Sequence, residues 1–263
     1  MKAVQKYEHI EVMQEKGIAL VSLNRPEVRN ALVPEMMEEL LDFFGKLKTS
    51  EEIKVIILTG KDSSFCAGGN IKGFKQTSAV EARKRMLQSQ QLITSIYELE
   101  QPVIAAVNGA AAGAGLSLAL ACDLIIASEK AKFASSFTKI GLVPDLGAAY
   151  FLPKLVGAHS AKQIMFSGEP INAVQAKSLG IVNEIYNEEE LLTEAYSWAE
   201  KLSHAAAVAV GLTKRLINSS HNMNFKEFLE QEALSQALAF QTEDLQEGVK
   251  AFFEKRPPIF TGK

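Results

Sequence analysis

The sequence predicts an α/β fold: a parallel sheet with helices packed on it, continued by a helical C-terminal region. Three observations carry this. Short, almost wholly apolar segments of strand length recur between stretches whose apolar residues fall at helical spacing. Beyond about Gly147 the strand-like segments nearly stop and helical patterning takes over. No linker rich in Gly, Ser or Pro, no repeat and no low-complexity tract interrupts the chain. We divide it into a core over residues 1–200 and a helical C-terminal region over residues 201–263.

Residues 9–14 and 17–23 read as paired strands around a Glu15-Lys16-Gly17 turn, with a stop at Pro26. Residues 34–48 carry Met36, Met37, Leu40, Leu41, Phe44 and Leu47 at helical spacing. Lys-Val-Ile-Ile-Leu-Thr at 54–59 is a buried strand closed by Gly60, and residues 79–99 are again helical. Residues 102–107 and 122–127 give two more apolar strands; apolar strands alternating with helices imply a parallel sheet covered on both faces. Helices are expected at 158–166, 173–179, 188–202, 206–218 and 225–254, with one late strand at 181–185.

Hydrophobic residues make up 47% of the 263, enough to fill a full core. A net charge of −3 gives no general attraction to nucleic acid or an anionic membrane. The N-terminus runs into charged sequence rather than an apolar stretch, and no segment is apolar over the ~18–20 residues that span a bilayer. Cys66 and Cys122 are far apart and without a Cys-x-x-Cys pattern, which fits a reduced pair. A cytoplasmic protein is the expectation. His9, His159, His204 and His221 are scattered, so no metal site is expected.

Two loops draw attention. Ser64-Phe65-Cys66-Ala67-Gly68-Gly69-Asn70-Ile71-Lys72 follows an apolar strand, where α/β sheets tend to place ligand loops. Asn108-Gly109-Ala110-Ala111-Ala112-Gly113-Ala114-Gly115-Leu116-Ser117 leads into an apolar helix, whose N-terminus adds partial positive charge. The second is neither a dinucleotide fingerprint, lacking the third glycine, nor a P-loop, lacking Gly-Lys-Ser/Thr. Each loop read alone is equally an ordinary turn or a close helix contact through small residues. Together they could each offer one backbone N–H to a developing oxyanion.

These blocks, with Pro102-Val103-Ile104-Ala105-Ala106-Val107-Asn108-Gly109 and Ala121-Cys122-Asp123, resemble the signature segments of the crotonase (enoyl-CoA hydratase/isomerase) superfamily. The likeness runs from Val21-Ser22-Leu23-Asn24-Arg25-Pro26 to the end of the chain. It implies a crotonase-like ββα superhelix with a helical C-terminal trimerisation region, assembled as a homotrimer or a dimer of trimers. It implies an acyl-CoA thioester as substrate, with no separate cofactor because coenzyme A is part of that substrate. By the same likeness Gly69 and Ala114 supply the oxyanion amides. Arg29, Ala31, Ala67, Gly68, Asn70, Ile71 and Lys255 fall where coenzyme A is held, Lys255 within a C-terminal segment (252–256) that in some members comes from a neighbouring subunit.

Hydration in this family uses two carboxylates around one water. The matching positions here hold Ser117 and Phe137, both on the substrate side of the expected site, and neither is a base near neutral pH. The remaining acid is Asp145, in Gly141-Leu142-Val143-Pro144-Asp145-Leu146-Gly147. Isomerases of the superfamily carry an acid at the matching place. The ring-isomerising enzymes of phenylacetate degradation give the closest likeness, through residues 139–145 and Pro258-Ile259-Phe260-Thr261-Gly262-Lys263. The expected reaction is therefore double-bond isomerisation, of the Δ3-Δ2 or ring 1,2-epoxyphenylacetyl-CoA type, with Asp145 carrying the proton. A hydratase using Asp145 alone and a non-catalytic acyl-CoA binder are the alternatives. Leu142, Val143, Leu146 and Phe137 would surround the carboxyl with apolar groups and raise its pKa. Pro-Asp-x-Gly is also an N-cap pattern, in which Asp145 would bind the first amides of the next helix. Residues 76–91 are expected to shape the acyl pocket.

Overall fold

The computed structural model describes residues 2–5, 7–71 and 77–263. Lys72 and Gln76, which belong to the expected ligand loop and acyl pocket, lie outside the described residues. Lys16 and Gly17 join β2 (Ile10–Glu15) to β3 (Ile18–Leu23) as an antiparallel hairpin, and β1 (Lys2–Gln5) pairs antiparallel with β2. From β3 onward the pairing is parallel: β4 (Val55–Gly60), β6 (Val103–Val107), β8 (Leu124–Ser128) and β11 (Glu184–Tyr186) follow in that spatial order.

The apolar strands have no polar face because both faces are covered. Alternate residues Val21, Leu23, Ile56, Leu58, Val103 and Ala105 point into the main core with α1 (Pro34–Leu47) and α2 (Ala79–Glu98). Ile18, Leu20, Val55, Ile57, Ile104 and Ile126 point the other way, onto Leu191, Ala195 and Ala199 of α6 (Leu191–Ser203). Trp198 packs there too, its indole N–H donating to the Tyr186 hydroxyl at 3.0 Å.

A second sheet was not expected from the sequence. β5 (Ser64–Cys66), β7 (Ala110–Ala112), β9 (Lys132–Ala134) and β10 (Ile171–Asn172) form it in the order β10-β9-β7-β5. Strands of two or three residues carry no readable period, and Ser64–Cys66 and Ala110–Ala112 read as parts of loops. With them the repeat becomes plain. Three successive units each give a strand to the large sheet, a strand to the small one, and then a helix: β4-β5-α2, β6-β7-α3 (Ala114–Leu120) and β8-β9-α4 (Ala148–Ser167). This is the ββα superhelix.

The C-terminal half departs from the sequence reading in two places. The helix expected at 158–166 is the second part of α4, which begins at Ala148 and kinks at Gly157 (φ 76°, ψ 160°). The single helix expected over 225–254 is two, α8 (Phe225–Ala239) and α9 (Glu243–Glu254). Thr242 breaks it: its backbone is extended and its hydroxyl accepts from the Leu245 N–H at 3.2 Å, a local cap that competes with helix continuation. The short helix α5 (Ala173–Ser178) and α7 (Ala207–Ser220) fall close to their expected places.

An ion pair between a buried lysine and a partly accessible aspartate attaches α7 to the core. The Lys214 ammonium donates to the Asp123 carboxylate at 2.7 Å and to the carbonyls of Ile96 (3.1 Å) and Gln101 (3.2 Å). The same Asp123 oxygen accepts from the Val103 N–H at 2.7 Å. Burial pushes the Asp123 carboxyl upward and the lysine opposes it. Removing the lysine strips the Asp123 carboxylate of its charge partner and leaves two carbonyls without their donor, so Lys214→Met is expected to lose about 1–3 kcal/mol of unfolding free energy. Lys214→Met with Asp123→Asn should recover part of that loss in the same guanidinium titration. A loss within experimental error for the single variant would show that α7 is held by packing alone.

Candidate active site

The site begins at a strained turn. After a 3-10 turn at Pro26–Val28, Arg29 and Asn30 both take left-handed conformations with φ 55°. Asn30 is completely buried and its side chain explains the strain. It accepts from the Arg25 N–H at 2.9 Å and donates to the carbonyls of Lys61 (2.9 Å) and Ser64 (2.7 Å), stapling the turn to the segment between β4 and β5. Sequence reasoning passed over this residue. Its one signal is that Asn tolerates the left-handed region better than most side chains.

From that turn the chain runs alongside the first loop. The Ala67 N–H donates to Arg29 O at 3.0 Å, Leu32 N–H to Gly68 O at 2.7 Å, and Asn70 N–H to Leu32 O at 3.1 Å. Arg29, Ala31, Ala67, Gly68, Gly69, Asn70 and Ile71 are thereby brought into one two-stranded ribbon, with the Arg29 side chain exposed.

The two loops then meet backbone to backbone. Gly68 has φ +108°, and a methyl group on it would lie 2.9 Å from Ala112 O and 3.7 Å from the Ala114 nitrogen. Gly115 is closer still to the other loop: its methyl would stand 2.2 Å from Cys66 O. Only glycine permits either approach. Gly113 N–H is taken by Ala134 O at 2.9 Å, whereas Ala114 is the first residue of α3 and its amide has no intrahelical acceptor. Among the described residues neither the Gly69 nor the Ala114 N–H has an acceptor. Two free amides on touching loops are a donor pair for an oxygen that gains negative charge.

The segment between β9 and α4 packs against the second loop. Phe137, in a 3-10 turn at Ser136–Ile140, is buried, and its ring edge would lie 3.9 Å from a methyl on Gly113. Asp145 follows, partly buried. Its Oδ1 is inaccessible and has no hydrogen-bond partner among the described residues. Burial alone pushes its carboxyl up to about 6. The cap pattern is not realised: α4 starts from Gly147, and no side chain caps it. Leu146 (φ 47°) and Gly147 (φ 83°) instead turn the chain through two left-handed residues.

The apolar surround is narrower than expected. Phe137 and Leu146 are buried, but Leu142 and Val143 are exposed in this chain. Ser117 is fully buried, and its hydroxyl donates to Asp145 O at 2.9 Å and approaches Gly113 O at 3.3 Å. Lys255 ends α9 in a left-handed conformation, exposed beside the exposed Phe252 and Phe253. Its neighbour Arg256 is committed to Glu247 through two bonds of 2.6 and 2.9 Å. Cys66 is buried under the first loop and its thiol is pushed up to about 12, so it is no nucleophile. Among the described residues no group of three or more His, Cys, Asp or Glu could hold a metal ion.

Known proteins resemble this chain along nearly its whole length. The enoyl-CoA hydratase/isomerase family profile matches residues 13–263. A crotonyl-CoA hydratase of Syntrophomonas wolfei is 36% identical, covering 98% of this chain and 99% of its own length. A 1,2-epoxyphenylacetyl-CoA isomerase of Escherichia coli K12 is 35% identical, covering 95% and 97%. The crystal structure of an enoyl-CoA hydratase from Bacillus anthracis superposes with a TM-score of 0.93 at 32% identity, over 97% of this chain and all of that one.

The loop contact is testable without any substrate. Gly115→Ala forces a methyl against the Cys66 backbone and is expected to cost about 1–3 kcal/mol of stability, read from chemical denaturation. Gly69→Ala, where nothing among the described residues lies within 4 Å of the added methyl, should stay within about 0.5 kcal/mol of wild type. Equal losses for the two would mean that the close approach is not rigid.

Proposed function

The chain belongs to the enoyl-CoA hydratase/isomerase family, and within it we propose that this protein moves a double bond rather than adding water to one. The observation that carries the reading is Asp145: a partly buried carboxyl with one unpartnered oxygen and a pKa raised to about 6, at a site where Ser117 and Phe137 offer no carboxylate. The isomerase of Escherichia coli among its relatives adds support. Hydratases among the relatives are the reason to keep water addition as the second reading.

In the proposed reaction the thioester oxygen of a 3-enoyl-CoA accepts from the Gly69 and Ala114 amides. Ionised Asp145 takes the proton from C2. The electron pair of that C–H bond spreads through the double bond as a dienolate, its charge resting on the held oxygen. The same carboxyl returns the proton to C4, and the double bond stands between C2 and C3. Nothing is gained or lost in the exchange. A carboxyl with a pKa near 6 is a stronger base than an ordinary aspartate and is still mostly ionised at neutral pH.

Arg29 and Lys255 are proposed to meet the phosphates of coenzyme A, and Ala31, Ala67, Gly68, Asn70 and Ile71 its adenine and pantetheine arm. Coenzyme A belongs to the substrate, and the reaction needs no other cofactor. The proposed assembly is a homotrimer or a dimer of trimers in the cytoplasm. It is supported by α8, which has no buried residue in this chain and exposes Phe225, Leu234 and Leu238, an apolar surface that water alone does not stabilise. Among the described residues no helix is long and apolar enough to cross a membrane.

With 3-hexenoyl-CoA, Asp145→Asn is expected to lose about 10²–10⁴-fold in kcat, the usual worth of a positioned base. Hydration of crotonyl-CoA by the wild type without isomerisation of the 3-enoyl substrate would favour the second reading. Binding without turnover would favour an acyl-CoA carrier.

The pH profile gives an independent check. The kcat/KM of the wild type should fall about tenfold per unit below roughly pH 6, as the base is protonated. Stability runs the opposite way. A carboxyl whose folded pKa is raised binds its proton more tightly in the native state, so its contribution is lost as pH rises through about 6. At pH 7.5 Asp145→Asn should therefore melt higher than wild type.

A further inference from the structure

Ser117 stands where a hydratase of this family has an acid, yet its hydroxyl is directed at backbone carbonyls. It is completely buried, and it has one proton to give. Gly113 O, at 3.3 Å, already accepts from the Ser117 N–H in the first turn of α3, which leaves Asp145 O, at 2.9 Å, as the better acceptor. Ser117 lies three residues beyond Ala114, on the same side of α3. The bond therefore runs from the helix that presents one oxyanion amide to the residue that carries the acid.

That link matters because little else holds the acid. Asp145 Oδ1 has no partner among the described residues, so the carboxylate is not oriented through that oxygen. Its place depends on its backbone, and the following residues, Leu146 and Gly147, are both left-handed. A non-glycine residue there is in a sparsely populated conformation that persists only where neighbouring bonds impose it. Two bonds converge on the Asp145 carbonyl: the Ser117 hydroxyl, and the Ala148 N–H at 3.1 Å. The second is local to the turn. Of the two, only the first ties the turn to the oxyanion loops.

We infer that Ser117 is a positioning residue, fixing the Asp145 carboxylate relative to the Ala114 amide through the backbone of the turn. This rests on the isomerase reading above. Base and oxyanion donor then belong to one rigid body, and catalysis depends on that register to a fraction of an ångström. Substrate affinity does not, because the thioester and coenzyme A are held elsewhere.

The test uses the full-length protein with 3-hexenoyl-CoA as substrate and butanoyl-CoA as a non-reacting ligand. Ser117→Ala is expected to lower kcat about tenfold or more, with KM and the butanoyl-CoA Kd within about twofold of wild type. Its acidic pH limb should move below 6, because a loosened turn lets water reach a carboxyl that burial alone had raised. Ser117→Cys keeps the shape with a weaker donor and should fall between; it decides the matter if the Ala variant does not fold. A kcat and acid limb unchanged in both variants overturn the inference. So does a fall in kcat matched by an equal loss of butanoyl-CoA affinity, which would mean a structural role. Asp145→Asn is run alongside. If it is inactive while Ser117→Ala is unaltered, only this inference fails; if it is fully active, the isomerase reading fails as well.

Discussion

Two short loops come into direct contact between their backbones, and the rest of the candidate site is arranged around that contact. An unpaired buried N–H is costly, and most chains close it with a carbonyl. Among the described residues Ala67 and Asn70 pair with the Arg29–Leu32 segment and Gly113 with Ala134, while the amides of Gly69 and Ala114 have no acceptor. The contact between the loops is backbone on backbone. It exists because Gly68 and Gly115 have nothing to push the chains apart.

The strength of the ladder explains why so much could be read from the sequence. β3, β4 and β6 are buried along their whole length, so they are apolar but for Ser22 and Thr59. The small sheet has no such signature. Ser64, Phe65 and Cys66, or Ala110, Ala111 and Ala112, are strands only because the neighbouring unit lies against them. The break between α8 and α9 was missed for a related reason: apolar residues continue on both sides of Thr242, and a cap of one hydroxyl decides the outcome.

The site was legible in its residue types but not in its bonds. Glycine and alanine runs announced the two loops, and the likeness to a known family singled out Asp145. The work of Asn30 and Ser117 could not be seen, because their partners are backbone atoms distant in sequence, and a backbone carbonyl has no letter. The residues around Asp145 alone favour a helix cap and the family likeness favours an acid; the fold removes the first use, because the helix follows a glycine two residues later and ignores the carboxylate. That neglect leaves a charge half out of water with an oxygen unsatisfied, a local weakness that the surrounding core sustains.

The repeating unit has a bearing on how such a protein could change its trade over generations. Ser117, Phe137 and Asp145 sit on successive stretches of the superhelix: one on α3, one on the turn that follows β9, one just before α4. Each stretch belongs to a different layer of the repeat. Descent with modification can therefore place an acid in one layer or another by altering a side chain, while the backbone of the two loops stays where the strands put it. A lineage built this way keeps its frame and changes the chemistry set upon it.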